Sequence, residues 1–201
     1  MSKRNPNISI HCHPLSLIEE PERIRAARRG EVMHHALGTL GPASGAGAEA
    51  SGTGLKAADP KAADQQASGT ERRIERAVLR AFAVLDLDPG GWKIQEDFVR
   101  PLVRVFNLPK FKAWFDPAAV SLEEAEIMDA DGDVYRPDRI VFREGRIEVI
   151  DFKFGKREEA HKEQIETYVG LLGAIFEGRP AAGYLVYIDE PAIVEIDAET
   201  K

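Results

Sequence analysis

The sequence predicts an α/β (α+β) fold, a mixed β-sheet flanked by helices, on three observations. First, residues 134–142 and 146–152 are rich in Val, Ile, Tyr and Phe, the signature of strands, and Arg143-Glu144-Gly145 lies between them. Glu-Gly suits a tight hairpin because Gly tolerates positive φ. Second, residues 158–176 place Ile165, Tyr168, Val169, Leu172 and Ile175/Phe176 at a spacing of three to four, the period of an amphipathic helix. Third, two further strand runs, 183–188 and 192–196, follow across Asp189-Glu190-Pro191. The first of these is placed to pair beside the hairpin after a crossover helix.

Upstream, the elements are mostly helical. Residues 21–40 read as one helix, with Pro21 suited to its first turn. Residues 41–70 collapse to Ala, Gly, Ser and a few charges, the composition of a flexible linker or insertion. Residues 71–87 form an amphipathic pattern carrying Arg72, Arg73, Arg76 and Arg80, and 92–107 and 110–116 read as shorter helices. Residues 121–128 read as the first strand. The expected organisation is therefore an N-terminal segment with a His-bearing helix (1–40), a linker (41–70), a helical segment (71–120) and a catalytic core (121–201), all within one domain.

The chemistry concentrates at the ends of the predicted hairpin strands. Side chains alternate along a strand, so Ile147, Val149, Asp151 and Lys153 share one face, while Glu148, Ile150 and Phe152 share the other. The first face starts apolar and ends in a carboxylate beside an ammonium. Asp138 lies on the neighbouring strand, within reach of sharing one cation with Asp151. Two adjacent carboxylates repel unless a cation sits between them. A divalent cation of the Mg²⁺ type takes one or two carboxylates and completes its shell with water and phosphate oxygens. Such an ion acidifies water and stabilises phosphoryl charge, and a neighbouring lysine can orient or deprotonate the water. An Asp-x-Lys triplet alone is common as a solvated ion pair. Pro137-Asp138 upstream, and Gln164 and Tyr168 one helical turn apart downstream, move the reading toward metal-dependent phosphodiester cleavage.

On these residues the chain resembles the PD-(D/E)XK nuclease superfamily, specifically the RecB/AddA-type nuclease domain of UvrD-like helicase-nucleases. The resemblance rests on Pro137-Asp138-Arg139-Ile140, on Val149-Ile150-Asp151-Phe152-Lys153-Phe154-Gly155, on Gln164-Ile165-Glu166-Thr167-Tyr168, and on Arg29-Gly30 followed by His34. It implies a restriction-endonuclease-like core with Asp138, Asp151, Lys153, Gln164 and Tyr168 as the catalytic set. It also implies His34, Asp138, Asp151 and the backbone carbonyl of Phe152 as ligands of Mg²⁺ or Mn²⁺. The activity implied is that of a metal-dependent deoxyribonuclease, an exonuclease, in DNA repair or recombination. The partners implied are single-stranded DNA and a UvrD-like helicase in cis or in trans. The alternative is a catalytically silent nuclease fold that docks DNA or protein in a repair complex, against which the intact Asp138, Asp151 and Lys153 argue.

Several residues are weighed beside this set. His34 and His35 are adjacent and point about 100° apart on a helix, so only one can face a metal, and His34 is the one at the family position. Glu126, in the first predicted strand, is a candidate for orienting a ligand from behind it, with Glu96 a more distant one and His161 a residue near the Gln164/Tyr168 edge. Asp129-Ala130-Asp131-Gly132-Asp133 fails as a calcium loop, since its Gly is misplaced and position twelve is Ile140, and reads as a turn. His11-Cys12-His13 lacks a spaced partner set for zinc.

Composition narrows the classes further. The single Cys12 excludes an internal disulfide and an iron–sulfur cluster. No run is long enough to span a membrane and no apolar leader opens the chain, so the expected location is the cytoplasm, away from membranes. No phosphate-binding P-loop is present for ATP hydrolysis. The net charge of −7 is unusual for a DNA enzyme, yet the first 120 residues carry 17 Lys+Arg against 14 Asp+Glu. Arg23, Arg25, Arg28 and Arg29, with Arg100, Arg104, Lys110 and Lys112, are candidates for a basic rim.

Overall fold

The computed structural model describes residues 21–40 and 60–197. His11-Cys12-His13 and residues 41–59 of the expected linker lie outside the described residues. Helix α1 spans Pro21–Thr39, α2 Pro60–Val84, α3 Arg100–Phe106, α4 Pro109–Trp114 and α5 Glu159–Ile175. The strands are β1 Val120–Glu123, β2 Ile127–Met128, β3 Val134–Tyr135, β4 Arg139–Arg143, β5 Arg146–Lys153, β6 Ala181–Tyr187 and β7 Ala192–Asp197. The main sheet has five strands in the order β1-β4-β5-β6-β7, and β2 and β3 form a separate two-stranded ribbon. All contacts in the main sheet are antiparallel except β5 with β6, which are parallel and joined through α5. The α/β expectation with a mixed sheet flanked by helices therefore holds.

β5 is the central strand, and both its faces are covered. Ile147 and Val149 pack with Ile165, Tyr168, Val169 and Leu172 of α5. Ile150 and Phe152 pack on the other side with Phe111, Trp114 and the buried face of α1 (Val32, Met33, Ala36, Leu37). Each fully buried side chain of this size contributes about 1.5–3 kcal/mol relative to exposure. The alternation is thus realised: Asp151 and Lys153 project toward α5. The β4–β5 hairpin closes through Glu144-Gly145, with Gly145 at φ 85°, a value that costs a side-chain-bearing residue but not glycine.

α5 approaches β6 closely at Gly183. A Cβ there would stand 2.7 Å from Ile165 Cγ1 and 2.9 Å from Val169 Cγ2, so only glycine lets the helix lie at this distance.

Four expected elements are divided or shifted. The strand expected over 134–142 breaks into β3 and β4 around Pro137, which has no N–H for a ladder. The strand expected over 121–128 breaks into β1 and β2 next to Glu124, at φ 48°. The Asp129–Asp133 turn, with Gly132 at φ 92°, joins β2 to β3. The helix expected over 92–107 becomes a π-helix, Gln95–Val99, followed by α3, with Pro101 near the α3 start. α2 begins at Pro60 rather than residue 71.

Two ionic networks, each centred on one buried charge, lie on the α4 side of the sheet. Arg139, 1% exposed, donates to Glu123 Oε1 at 2.7 Å and Ser121 Oγ at 3.0 Å, and its guanidinium lies over Phe115. Glu148 accepts from Trp114 Nε1 at 2.8 Å and pairs with Arg143 and Arg146. These charges face away from α5 and are satisfied where they lie.

Candidate metal and phosphodiester site

The site forms because β5 is longer than β4. The last pair in their register is Arg139 with Ile150, so Asp151, Phe152 and Lys153 run on past the end of β4. Pro137 ends any ladder there, and Asp138 turns in toward the exposed edge of β5. Its Oδ2 accepts the Phe152 N–H at 2.6 Å. In an extended strand the N–H and C=O of one residue point to the same side. The Phe152 carbonyl therefore faces the edge that Asp138 occupies, whereas the Lys153 carbonyl is turned to β6 and accepts from Ile188 N–H at 3.0 Å.

α1 brings His34 to the same edge. His34 Nδ1 lies 3.2 Å from Asp138 Oδ1, and the ring packs edge-on against Phe154 at a centroid distance of 4.8 Å. Burial works against the imidazolium, but the hydrogen bond and charge of Asp138, with the charge of Asp151, outweigh it. The His34 pKa is held above its ordinary value even though Lys153 pulls the other way.

Asp151 and Lys153 meet on the α5 face. Lys153 Nζ stands 2.5 Å from Asp151 Oδ2 and donates to Gln164 Oε1 at 2.6 Å. Gln164 Nε2 donates to the Tyr168 hydroxyl oxygen at 2.8 Å. An ammonium can only donate, so the amide oxygen must face Lys153 and the amide nitrogen must face Tyr168. The Tyr168 oxygen then accepts, which leaves its own hydrogen for another acceptor. Burial, then the Asp151 charge, raise the Tyr168 pKa, so this hydroxyl stays protonated.

Within this group, Asp151 is well displaced from its ordinary titration. Burial, then repulsion from Asp138, push its carboxyl up to about 6, against the pull of Lys153 and His34. Its Oδ2 is buried, and Lys153 is the partner that meets it there.

These donors fit a divalent cation of the Mg²⁺ or Mn²⁺ type. Among the described residues no three Asp, Glu, His or Cys side chains converge as a ready-made metal cage. Mg²⁺ does not require one: it is held by one or two carboxylates, with water and substrate phosphate completing the shell. Asp138 and Asp151 repel each other, the buried Asp151 carboxyl is pushed up to about 6, and an imidazole and a main-chain carbonyl lie on the Asp138 edge. A cleft of about 10 Å³ on the Asp138 side, lined by His34, Glu124, Asp138 and Phe152 but not by Asp151, has room on the scale of one water or ion. A larger cavity of about 370 Å³, bounded by Leu40, Ile74, Phe106 and Phe115, lies among α2, α3 and α4. It includes none of these carboxylates, and volume without such donors does not locate the chemistry.

The structure thus brings together His34, Asp138, Asp151, Phe152, Lys153, Gln164 and Tyr168. It does not bring in Glu126, an exposed residue ion-paired with Arg136 at 2.5 Å, or Glu96, which pairs with Arg100 at 3.6 Å. His35 lines a separate open cleft with Gly38, Thr39, Glu123 and Glu124. His161 lies beside the set, its Nδ1 3.5 Å from the Tyr187 hydroxyl; burial, then Lys153, lower its pKa. Glu124, not Glu126, lines the cleft beside Asp138 and donates its main-chain N–H to the Asp138 carbonyl at 3.1 Å. Its placement follows from a positive-φ break that strand periodicity does not announce. Part of the expected basic rim is engaged internally: Lys110 with Glu195, and Arg29 with Asp189. Asp189 gave no signal in the sequence beyond its place in a turn.

A family model described as the PD-(D/E)XK nuclease superfamily matches residues 13–200. No curated protein matches the chain. Among solved structures, the crystal structure of SSO0001 aligns at 18% identity over 68% of this chain and 63% of that one, with a TM-score of 0.28. The chain spans less than two thirds of that protein's length.

Proposed function

The chain belongs to the PD-(D/E)XK nuclease superfamily, and we propose that it hydrolyses DNA phosphodiester bonds with Mg²⁺ or Mn²⁺, as an exonuclease acting on single strands supplied by a UvrD-like helicase in cis or in trans. The observation that carries the catalytic part is the convergence of Asp138, Asp151 and Lys153 at the free end of β5, where the buried Asp151 is repelled by Asp138 and held by Lys153. Asp138, Asp151, His34 and the Phe152 carbonyl would hold the ion. When bound, it supplies Lewis-acid stabilisation of phosphoryl charge and a lower pKa for attacking water.

The side chains have separable tasks. Lys153, fixed by Asp151 and Gln164, presents its ammonium where a water can be oriented and a proton handed on. Tyr168 offers its remaining hydrogen to a non-bridging phosphate oxygen, with Gln164 setting the direction of that hydroxyl. Asp138, oriented by the Phe152 N–H and by His34, keeps a fixed carboxylate direction. Lys156 and Arg157, exposed on the turn after Lys153, suit the backbone of an incoming strand.

The single-strand, exonuclease and helicase parts rest on the resemblance of Arg29-Gly30…His34 and Gln164…Tyr168 to the RecB/AddA-type domain. Linear and circular single-stranded DNA compared in one assay test the exonuclease part. An exonuclease consumes the linear form and spares the circle; consumption of the circle contradicts the exonuclease reading while leaving the nuclease intact. Among the described residues no helix is long and apolar enough to cross a membrane.

A further inference from the structure

We propose that Arg29 and Asp189 form a clamp that sets the position of His34 over the two carboxylates, making Arg29 a positioning residue for metal capture rather than a contact for DNA. The inference rests on the metal-dependent reading of the site. Arg29 donates from Nη2 to Asp189 Oδ1 at 2.6 Å and from Nη1 to Oδ2 at 3.1 Å, a two-bond fork that fixes orientation as well as distance. Its third donor, Nε, reaches the Asp97 carbonyl at 2.8 Å. Pro101, four residues after Asp97, has no N–H to give that oxygen.

The other end of the clamp is tied to the catalytic strand. Asp189, just past β6, also accepts the Gly155 N–H through Oδ2 at 2.8 Å. Gly155 sits at φ 89°, a conformation that turns the chain sharply two residues after Lys153. Phe154, between them, packs against His34, and its Cδ2 would lie 3.6 Å from a Cβ at Gly30. A closed ring results: Arg29 to Asp189, Asp189 to Gly155, Phe154 to His34, and back along α1. The side chains of Arg29 and Asp189 are 21% and 31% exposed, so the pair is partly withdrawn from water and better held than a surface ion pair. His34 is more than 100 residues from Asp138 in sequence, so only contacts of this kind set their separation.

The test compares wild type with Arg29→Gln, Asp189→Asn, His34→Ala and the double variant Arg29→Gln/His34→Ala. Mn²⁺ affinity is read by calorimetry, and the His34 ring-proton resonance by NMR of the metal-free protein. Each clamp variant is expected to weaken Mn²⁺ binding about tenfold, the scale of groups that orient a ligand, and to move the His34 resonance. In the His34→Ala background, Arg29→Gln is expected to add nothing. An unchanged affinity and resonance in folded clamp variants overturns the proposal, as does the same loss with and without His34. Should Arg29→Gln not fold, Asp189→Asn decides on the same readouts. Wild type that binds no Mn²⁺ contradicts the metal reading instead, and the His34 resonance still tests the clamp.

Discussion

The Asp138 carboxylate accepts the main-chain N–H of Phe152 at 2.6 Å, so one acid of the site is aimed by the peptide that lies between the other acid, Asp151, and Lys153. The two acids therefore stand in opposite relations to stability. Asp138→Ala leaves the Phe152 N–H without its partner and is expected to destabilise the protein by about 1–3 kcal/mol. Chemical denaturation at pH 7.5 without metal checks this, and an unchanged midpoint would remove the orienting role.

Asp151 behaves the other way. Its folded pKa, about 6, is raised above the ordinary 3.8. The folded state therefore holds this proton more tightly than the unfolded state, and the resulting stability is present below pH 4 and lost as pH rises through about 6. His34, also raised, works in the same direction. The metal-free protein is expected to melt at a higher temperature near pH 5 than the rest of its titration would give. Asp151→Asn should stabilise it by about 2 kcal/mol at pH 7.5 while abolishing cleavage. A destabilised Asp151→Asn protein would show that Lys153 outweighs burial and Asp138.

The hydrogen-bonded row Lys153, Gln164, Tyr168 implies graded losses. Lys153→Ala removes the proton-handling group and should slow cleavage about 10²- to 10⁴-fold. Tyr168→Phe deletes one donor and the oxygen that accepts from Gln164, and should cost about tenfold. Single-turnover rates on a labelled oligonucleotide measure both, and equal effects would argue against separate tasks.

His34 and His35 separate cleanly. His34→Ala should weaken Mn²⁺ binding by calorimetry at least about tenfold, whereas His35→Ala, whose ring lies in another cleft, should leave it unchanged. Equal effects would reverse the assignment.

Gly183 controls the position of α5. A methyl there meets Ile165 and Val169 closer than 3.0 Å, so Gly183→Ala should cost about 1–3 kcal/mol by overpacking. Because Gln164 and Tyr168 ride on the same helix, activity should fall even where the variant remains folded. Full activity with unchanged melting would mean the helix yields freely.

The hairpin, the face shared by Asp151 and Lys153, and the crossover helix were legible because each rests on a local period or a turn residue. The breaks at Pro137 and Glu124 were not, since a two-residue ribbon leaves too short a pattern to separate from the strand beside it. Glu126 drew notice over Glu124 for that reason. The fork between Arg29 and Asp189 spans 160 positions, and long-range side-chain pairs leave no periodic trace. Arg29, read alone, is one more rim charge; Asp189 makes it an internal one.

The most direct test of the central claim is cleavage of end-labelled single-stranded DNA at low salt with Mg²⁺ or Mn²⁺, wild type beside Asp151→Ala, each with and without EDTA. The account predicts product from wild type only when metal is present, and none above background from folded Asp151→Ala. Wild type that is folded and inert with both metals, or Asp151→Ala that cleaves as fast as wild type, would contradict it.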